Sequence, residues 1–450
     1  MNIWDLVLDM GIASLLLLLA KVIRVRVPFI QQMFIPVSMI AGLLGLLLGP
    51  YVLDVLPWSE SFTAYAGVLI TVIFAAVGLA TQFPGPREVL GRAGSLWAFN
   101  QTVTVGQWCV GLVVGAMMAA TFWPELNAGF GLIMPAGFMG GHGTAVAIGE
   151  SFRQLGWDDA TTLALSSATF GIFAAIFLGM GLLNYGVQRG WLKGLPRFSE
   201  MDSELRCGLV KEDKRRVLAR EGISSISVDV FAIHTAIVLV VTALAYLMSL
   251  SLSSLHDMVS VPKFACAFLI GCIARVILQK AGAARFLDDG IFNHAAGAST
   301  DFLIVFGIAS IQISVLITYA VPMALLMVAG LIMCLFLVLV VAPRMLGAEW
   351  FEKGIFSWGW MTGTVAMGIL LLRVADPEMK SKVLDDYAIA YVPGAVVDIL
   401  LISLMPMLVL SGYGWQALGG MLVYIAVVQL LARLFRGSSV IAGGGAASRS

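Results

Sequence analysis

Windows of roughly 20 mainly apolar residues, the length that crosses a bilayer core of about 30 Å, recur along the whole chain between short polar breaks. They predict spans near 3–23, 34–56, 62–81, 96–120 and 163–186, then near 227–250, 262–280, 298–319, 321–343, 386–410 and 414–435. Two further apolar stretches, 128–150 and 355–374, are broken by glycines and flanked by charge. These suit re-entrant or discontinuous segments, because irregular backbone at membrane depth is tolerated only where protein buries it or where it lines an aqueous cavity.

Composition agrees with the pattern. The 450 residues are 60% hydrophobic and 12% charged, against about a quarter charged in soluble domains, so the fold class expected is an all-α polytopic membrane protein in a lipid bilayer. Twenty-seven basic residues balance 27 acidic ones, which leaves no basic field for nucleic acid. Cys109, Cys207, Cys266, Cys272 and Cys334 are scattered and form neither a disulfide framework nor a zinc site. Lys21, Arg24 and Arg26 follow the first apolar run instead of preceding it, so that run reads as a retained span and not a cleaved signal. With the N-terminus outside, nearly every Lys and Arg falls inside, Arg87, Arg92 and the whole 188–226 segment included; Arg153 and Lys263 fall outside.

The segment 188–226 is the one long polar stretch and divides the chain almost in half. The halves echo each other. MPAGFMGGHGTAVAIGESF at 134–152 answers GIFSWGWMTGTVAMGILLL at 354–372, and Phe34-Ile35-Pro36 answers Ser260-Val261-Pro262. Because each copy has an odd number of spans, the second enters the membrane upside down. The domains read from this are a first inverted repeat at 1–187, a cytoplasmic linker at 188–226, a second inverted repeat at 227–412, and an extra span with a cytoplasmic tail at 413–450. Inverted repeats with a glycine-interrupted segment at the same place in each point to a secondary transporter and its site.

The chemistry-bearing residues gather near those interruptions. Gly140, Gly141 and Gly143, with His142 and Thr144, let backbone N–H and C=O groups leave helical geometry and face an ion or substrate; glycines that merely permit close helix packing are the plainer alternative. His142 suits a substrate carboxylate, a proton shuttle, or a hydrogen bond to a neighbouring carbonyl. Thr362, Gly363 and Thr364 offer hydroxyls and loosened carbonyls, hard oxygen ligands for sodium. Arg373 matches a carboxylate bidentately or snorkels to the interface. Asp398 has no charged residue within ten positions on either side, which makes it a functional candidate by default. Asn100, Gln101, Thr102 and Thr104 give the fourth span a polar stripe from which Asn100 could face the site. Glu150 reads as a mouth residue or a helix-end charge, Asp301 and the Asp288-Asp289 pair near His294 as solvated, and Asp158-Asp159 as a helix start. No Walker, HExxH or GxSxG sequence occurs, and no nucleophile or metal pattern suggests an enzyme.

With those residues placed, the chain resembles the bacterial sodium/glutamate symporter family. The resemblance rests on Gly140-Gly141-His142-Gly143-Thr144, Ala168-Thr169-Phe170-Gly171, the second glycine-rich element at 359–368, and Val392, Pro393 and Asp398, and it covers roughly 3–410. It implies two inverted five-span repeats, a homodimer in the bacterial inner membrane, a core carrying both re-entrant elements that slides against a dimerising scaffold, and sodium as coupling ion with no organic cofactor. TGTVAMG followed by ILLLR departs from the glutamate-transporting pattern, which marks a distinct branch and leaves glutamate and related amino acids or carboxylates open. The expected sites are Gly140, Gly141, His142, Gly143, Thr144, Arg373 and Asn100 for the anionic substrate, and Thr362, Gly363, Thr364 and Asp398 for sodium. A proton- or sodium-coupled carrier of another organic anion, with His142 titrating, and a passive channel are the alternatives.

Overall fold

A computed structural model describes residues 2–82, 89, 93–192, 203–210, 212, 226–253, 261–377 and 380–444. Arg87, Arg92, much of the 188–226 linker and the last six residues of the tail lie outside the described residues. Among the described residues the chain is helical throughout and has no strand.

Local chemistry sets the ends of the helices. Helix α1 (Ile3–Arg26) opens with a capping box in which the Asn2 side chain accepts from Trp4 N–H and Asp5 reaches back to Asn2 N–H. Helix α2 (Val37–Leu48) starts after Pro36 and stops at Gly49. At 12 residues it is about 18 Å long, shorter than the span expected over 34–56, because Pro36, Gly49 and positive φ angles at Phe34 and Asp54 bound it. Then come α3 (Tyr65–Ala80), α4 (Gly94–Thr121), α5 (Ile133–Phe138), α6 (Gly141–Gln154) and α7 (Ala160–Gln188), the last directly after Asp158-Asp159 as expected. After the linker follow α8 (Val230–Ser253), α9 (Lys263–Lys280), α10 (Asp289–Ala309) and α11 (Ala320–Met345), which contains a π-helical turn over Leu337–Val341. The chain closes with α12 (Trp350–Thr362), α13 (Val365–Ala375), α14 (Val383–Leu410) and α15 (Gly414–Gly444). Nine described helices are long and apolar enough to cross a membrane: α1, α3, α4, α7, α8, α10, α11, α14 and α15. Helix α9 falls short on charge, since its 18 residues include Lys263, Arg275 and Lys280.

Contacts divide the chain into two compact units, one of residues 1–81, 142–169 and 197–318, the other of 82–141, 170–196 and 319–450. In the first, small residues let backbones approach. A Cβ on Gly78 of α3 would stand 2.6 Å from the Phe268 carbonyl of α9, and one on Gly42 of α2 would stand 2.8 Å from Ile308 Cβ of α10. Such close packing replaces the hydrophobic drive that lipid cannot supply between helices. The buried Asp9 of α1 accepts from both the backbone N–H and the hydroxyl of Ser59.

Two readings are corrected in this unit. Asp288 and Asp289 are not a solvated loop: Asp288 caps α10 through Gly290 N–H, and Asp289 takes both terminal nitrogens of the buried Arg275 at 2.6 and 2.9 Å. The span expected over 298–319 starts earlier, because α10 begins at Asp289 and leaves Asp301 about 18 Å along the helix. The extra start is supplied by that cap and ion pair, which hydropathy alone does not register.

In the second unit α4 turns its polar stripe inward: Asn100, Gln101, Thr104 and Gln107 are all buried. Gly111 and Gly115 of the same helix press against Gly131, just ahead of α5. Helices α12 and α13 fold back on one another. A Cβ on Gly368 would stand 2.5 Å from the Phe356 carbonyl, two residues that a continuous helix would hold about 18 Å apart.

Candidate functional site

Both predicted interruptions are real breaks in helix. Between α5 and α6 the chain leaves helical geometry at Met139, and Gly140 and Gly141 take φ of 86° and 64°, which only glycine adopts without strain. Between α12 and α13 it turns at Gly363 and Thr364, and the Thr364 hydroxyl accepts from Met367 N–H as the cap of α13. The two tips meet within the second unit. A Cβ on Gly141 would stand 2.8 Å from Thr364 Cγ2 and 3.2 Å from the Gly363 carbonyl. Gly171 of α7 backs the second tip so closely that an added Cβ would lie 2.2 Å from the Thr362 carbonyl. Trp358 indole N–H, donating to the Ala175 carbonyl at 3.1 Å, holds the same pair of helices together.

Polar side chains stand on α4 and α14 of the same unit. The Gln107 amide donates to the Met361 carbonyl at 2.7 Å, one residue before the break. Gln107, Thr104 and Asn100 recur at helical spacing, so Asn100 shares that face of α4. It is 4% exposed, and its Oδ1 is buried without a hydrogen-bond partner. Gln101 holds α14 close, since a Cβ on Gly394 would lie 2.7 Å from its Nε2, and its Oε1 accepts from the Tyr424 hydroxyl of α15 at 2.8 Å. Asp398 sits one turn beyond Gly394 on α14. Its Oδ1 is also buried and unpartnered, with Tyr387, Tyr391 and Tyr424 in electrostatic range. A buried carbonyl oxygen or carboxylate without a donor is costly unless a cation or ligand satisfies it.

The remaining expected residues fall as follows. The Thr362 hydroxyl is fully buried and donates to the Trp358 carbonyl within its own helix, so its oxygen lone pairs, and not its proton, are what it has to offer. Arg373 is half-buried in the last turn of α13. His142, Gly143 and Thr144 belong to the first unit. His142 is 1% exposed, with Nε2 3.1 Å from Thr169 Oγ1. The Thr169 hydroxyl spends its single proton on the Leu165 carbonyl, so Nε2–H is the donor to Thr169. In the neutral ring Nδ1 is then an acceptor, and it is buried without a partner.

Glu150 lies further along α6. It forms a paired hydrogen bond to Arg153 at 2.9 and 2.8 Å, stands 3.9 Å from Lys263, and with both lines a cavity of about 800 Å³ in the first unit. Gln107 was missed in the sequence; its place seven residues after Asn100, in line with the polar stripe, was the available signal. Nothing in the sequence marks Tyr424, whose link to Gln101 spans most of the chain. Among the described residues no cluster of three or more His, Cys, Asp or Glu side chains could hold a metal, and the five cysteines are free.

A model of the sodium/glutamate symporter family matches residues 4–369. Among curated proteins none matches the chain.

Proposed function

Because the chain belongs to the sodium/glutamate symporter family, and is therefore a membrane transporter and not an enzyme, we propose that it imports glutamate or a related amino acid or carboxylate with sodium by alternating access across the bacterial inner membrane. The observation that carries this reading is the meeting of the two tips, Gly141 against Gly363 and Thr364. Two broken helices with their loosened backbone side by side offer N–H groups to an anion and carbonyls to a cation in one place. Gly140, Gly141 and Arg373 hold the substrate carboxylate, with Asn100 at the edge. Asp398 and the Thr362–Thr364 carbonyls and hydroxyls hold sodium, whose charge answers the unpartnered Oδ1 of Asp398. Substrate and sodium must favour the same conformations, since a ligand without differential affinity shifts nothing.

The inverted-repeat reading is supported by which helices group together. The first unit takes α1–α3, α6 and the start of α7 from the first half and α8–α10 from the second, while the second unit takes α4, α5 and the rest of α7 together with α11–α15. Uptake of labelled L-glutamate into proteoliposomes under a sodium gradient, a proton gradient or neither tests the proposal. Accumulation that needs sodium and is blocked by unlabelled glutamate supports it. Uptake driven by a pH gradient without sodium would transfer the coupling to His142, whose unpartnered Nδ1 is the observation favouring that second reading.

A further inference from the structure

Away from the tips, at the end where the candidate spans Ala320–Met345 and Gly414–Leu434 both finish, two arginines converge on one cavity. The cavity is about 390 Å³, and Arg344 of α11, Arg433 and Gln429 of α15, and Thr102 of α4 supply its polar lining. Gln429 donates to the Thr102 hydroxyl at 2.6 Å and rests on Met345 Sδ at 3.7 Å, which fixes the back wall across three helices. The π-helical turn at Leu337–Val341 ends beside it, Val341 lines it, and Arg344 donates to the Val340 carbonyl of that turn. Such turns inside long helices concentrate at functional sites.

The charge of this pocket is unbalanced. Arg153 has Glu150, Arg275 has Asp289 and Lys353 has Asp386, whereas among the described residues neither Arg344 nor Arg433 has a carboxylate within ion-pair distance. A guanidinium carries five donors, and Arg344 spends one of its set on Val340. Two planar forks facing one cavity match the oxygens of a phosphate better than any single carboxylate. The pocket lies where both spans finish, the level at which lipid headgroups meet the ends of membrane helices.

We propose that this pocket binds the phosphate of an anionic phospholipid, with the headgroup between Arg344 and Arg433. Basic pockets between membrane helices at the interface have the chemistry for such headgroups. The pocket's place at the finishing ends of two spans is what favours a lipid over free phosphate, since headgroups are concentrated at that level. The proposal is independent of the transport reading and of which side of the membrane the pocket faces.

The test is native mass spectrometry and thermal unfolding of the full chain in detergent, titrated with phosphatidylglycerol, phosphatidylcholine or inorganic phosphate. Expected are preferential retention of phosphatidylglycerol over phosphatidylcholine, a rise in Tm with phosphatidylglycerol alone, and at least about tenfold weaker retention in R344Q/R433Q. Equal retention of the two lipids by the unmodified chain overturns the proposal, and that comparison needs no variant to fold. Undiminished phosphatidylglycerol binding by a folded R344Q/R433Q overturns it too. A Tm rise with inorganic phosphate equal to that with phosphatidylglycerol would assign the pocket to a free anion and reject the lipid.

Discussion

Gly359 and Gly368 lie backbone against backbone: a Cβ on Gly359 would stand 2.5 Å from Gly368 nitrogen. This contact closes the α12–α13 hairpin and so sets where the second tip points. Gly359→Ala or Gly368→Ala must push the two helices apart, at about 1–3 kcal/mol for overpacking. The expected result is a lower Tm and loss of transport together. Gly420→Ala on α15, where an added Cβ meets nothing within 4 Å, should change neither; a hairpin variant as stable and active as that control would remove the contact from its role.

Gln107→Leu keeps the volume of the side chain but withdraws the donor from the Met361 carbonyl. A buried acceptor left unmade costs about 1–3 kcal/mol. Its position beside the tip predicts a second effect, a raised sodium half-saturation. Stability lost with sodium dependence untouched would make Gln107 a packing residue only.

Asp398→Asn should abolish sodium-dependent uptake while the protein still elutes as a folded species. The amide has the shape of the carboxylate but no charge for a cation, and the carboxylate is the only one of the proposed sodium ligands that carries charge. Asn100→Ala should weaken substrate binding with a smaller loss of maximal rate. Full sodium-driven transport by Asp398→Asn would discard the assignment.

Arg275→Gln should destabilise the first unit by about 3 kcal/mol, because it strands the Asp289 carboxylate next to a buried position. Asp289 follows Asp288, whose backbone N–H donates to His234 Nε2 at 2.9 Å, so the loss should spread to the start of α10. Hydrogen exchange localised to residues 288–292 is the readout. Uptake per folded molecule is expected to hold.

Tyr424→Phe removes one hydroxyl and with it the hydrogen bond to Gln101, worth about 1 kcal/mol net. The expected result is a Tm lowered by a few degrees at most. If Gln101 depends on that bond to hold its place against Gly394, the apparent substrate affinity falls several-fold, which concentration-dependent uptake would show.

Apolar runs were legible because a bilayer demands them: a helix crossing lipid satisfies every backbone group within itself, so nine of the eleven predicted spans reappear as long apolar helices. The two glycine-broken segments were legible for the complementary reason, since Gly140-Gly141 and Gly363 stand where a helix would otherwise continue. Hydropathy failed where side-chain hydrogen bonds and turns set the boundary, at Pro36 and Gly49 around α2 and at the Asp288 cap of α10.

The sequence by itself thus determined the class of the protein, its helices and the places where they break, because those depend on local composition and backbone freedom. Tertiary structure alone decided that the break at Gly141 touches the one at Thr364, that Gln107 reaches Met361, that Tyr424 reaches Gln101, and that Arg344 and Arg433 share a cavity. These pairs are distant along the chain, and no period or motif links them. Their meeting is fixed by which small residues let which backbones approach, a property of the packed helices and not of any one segment.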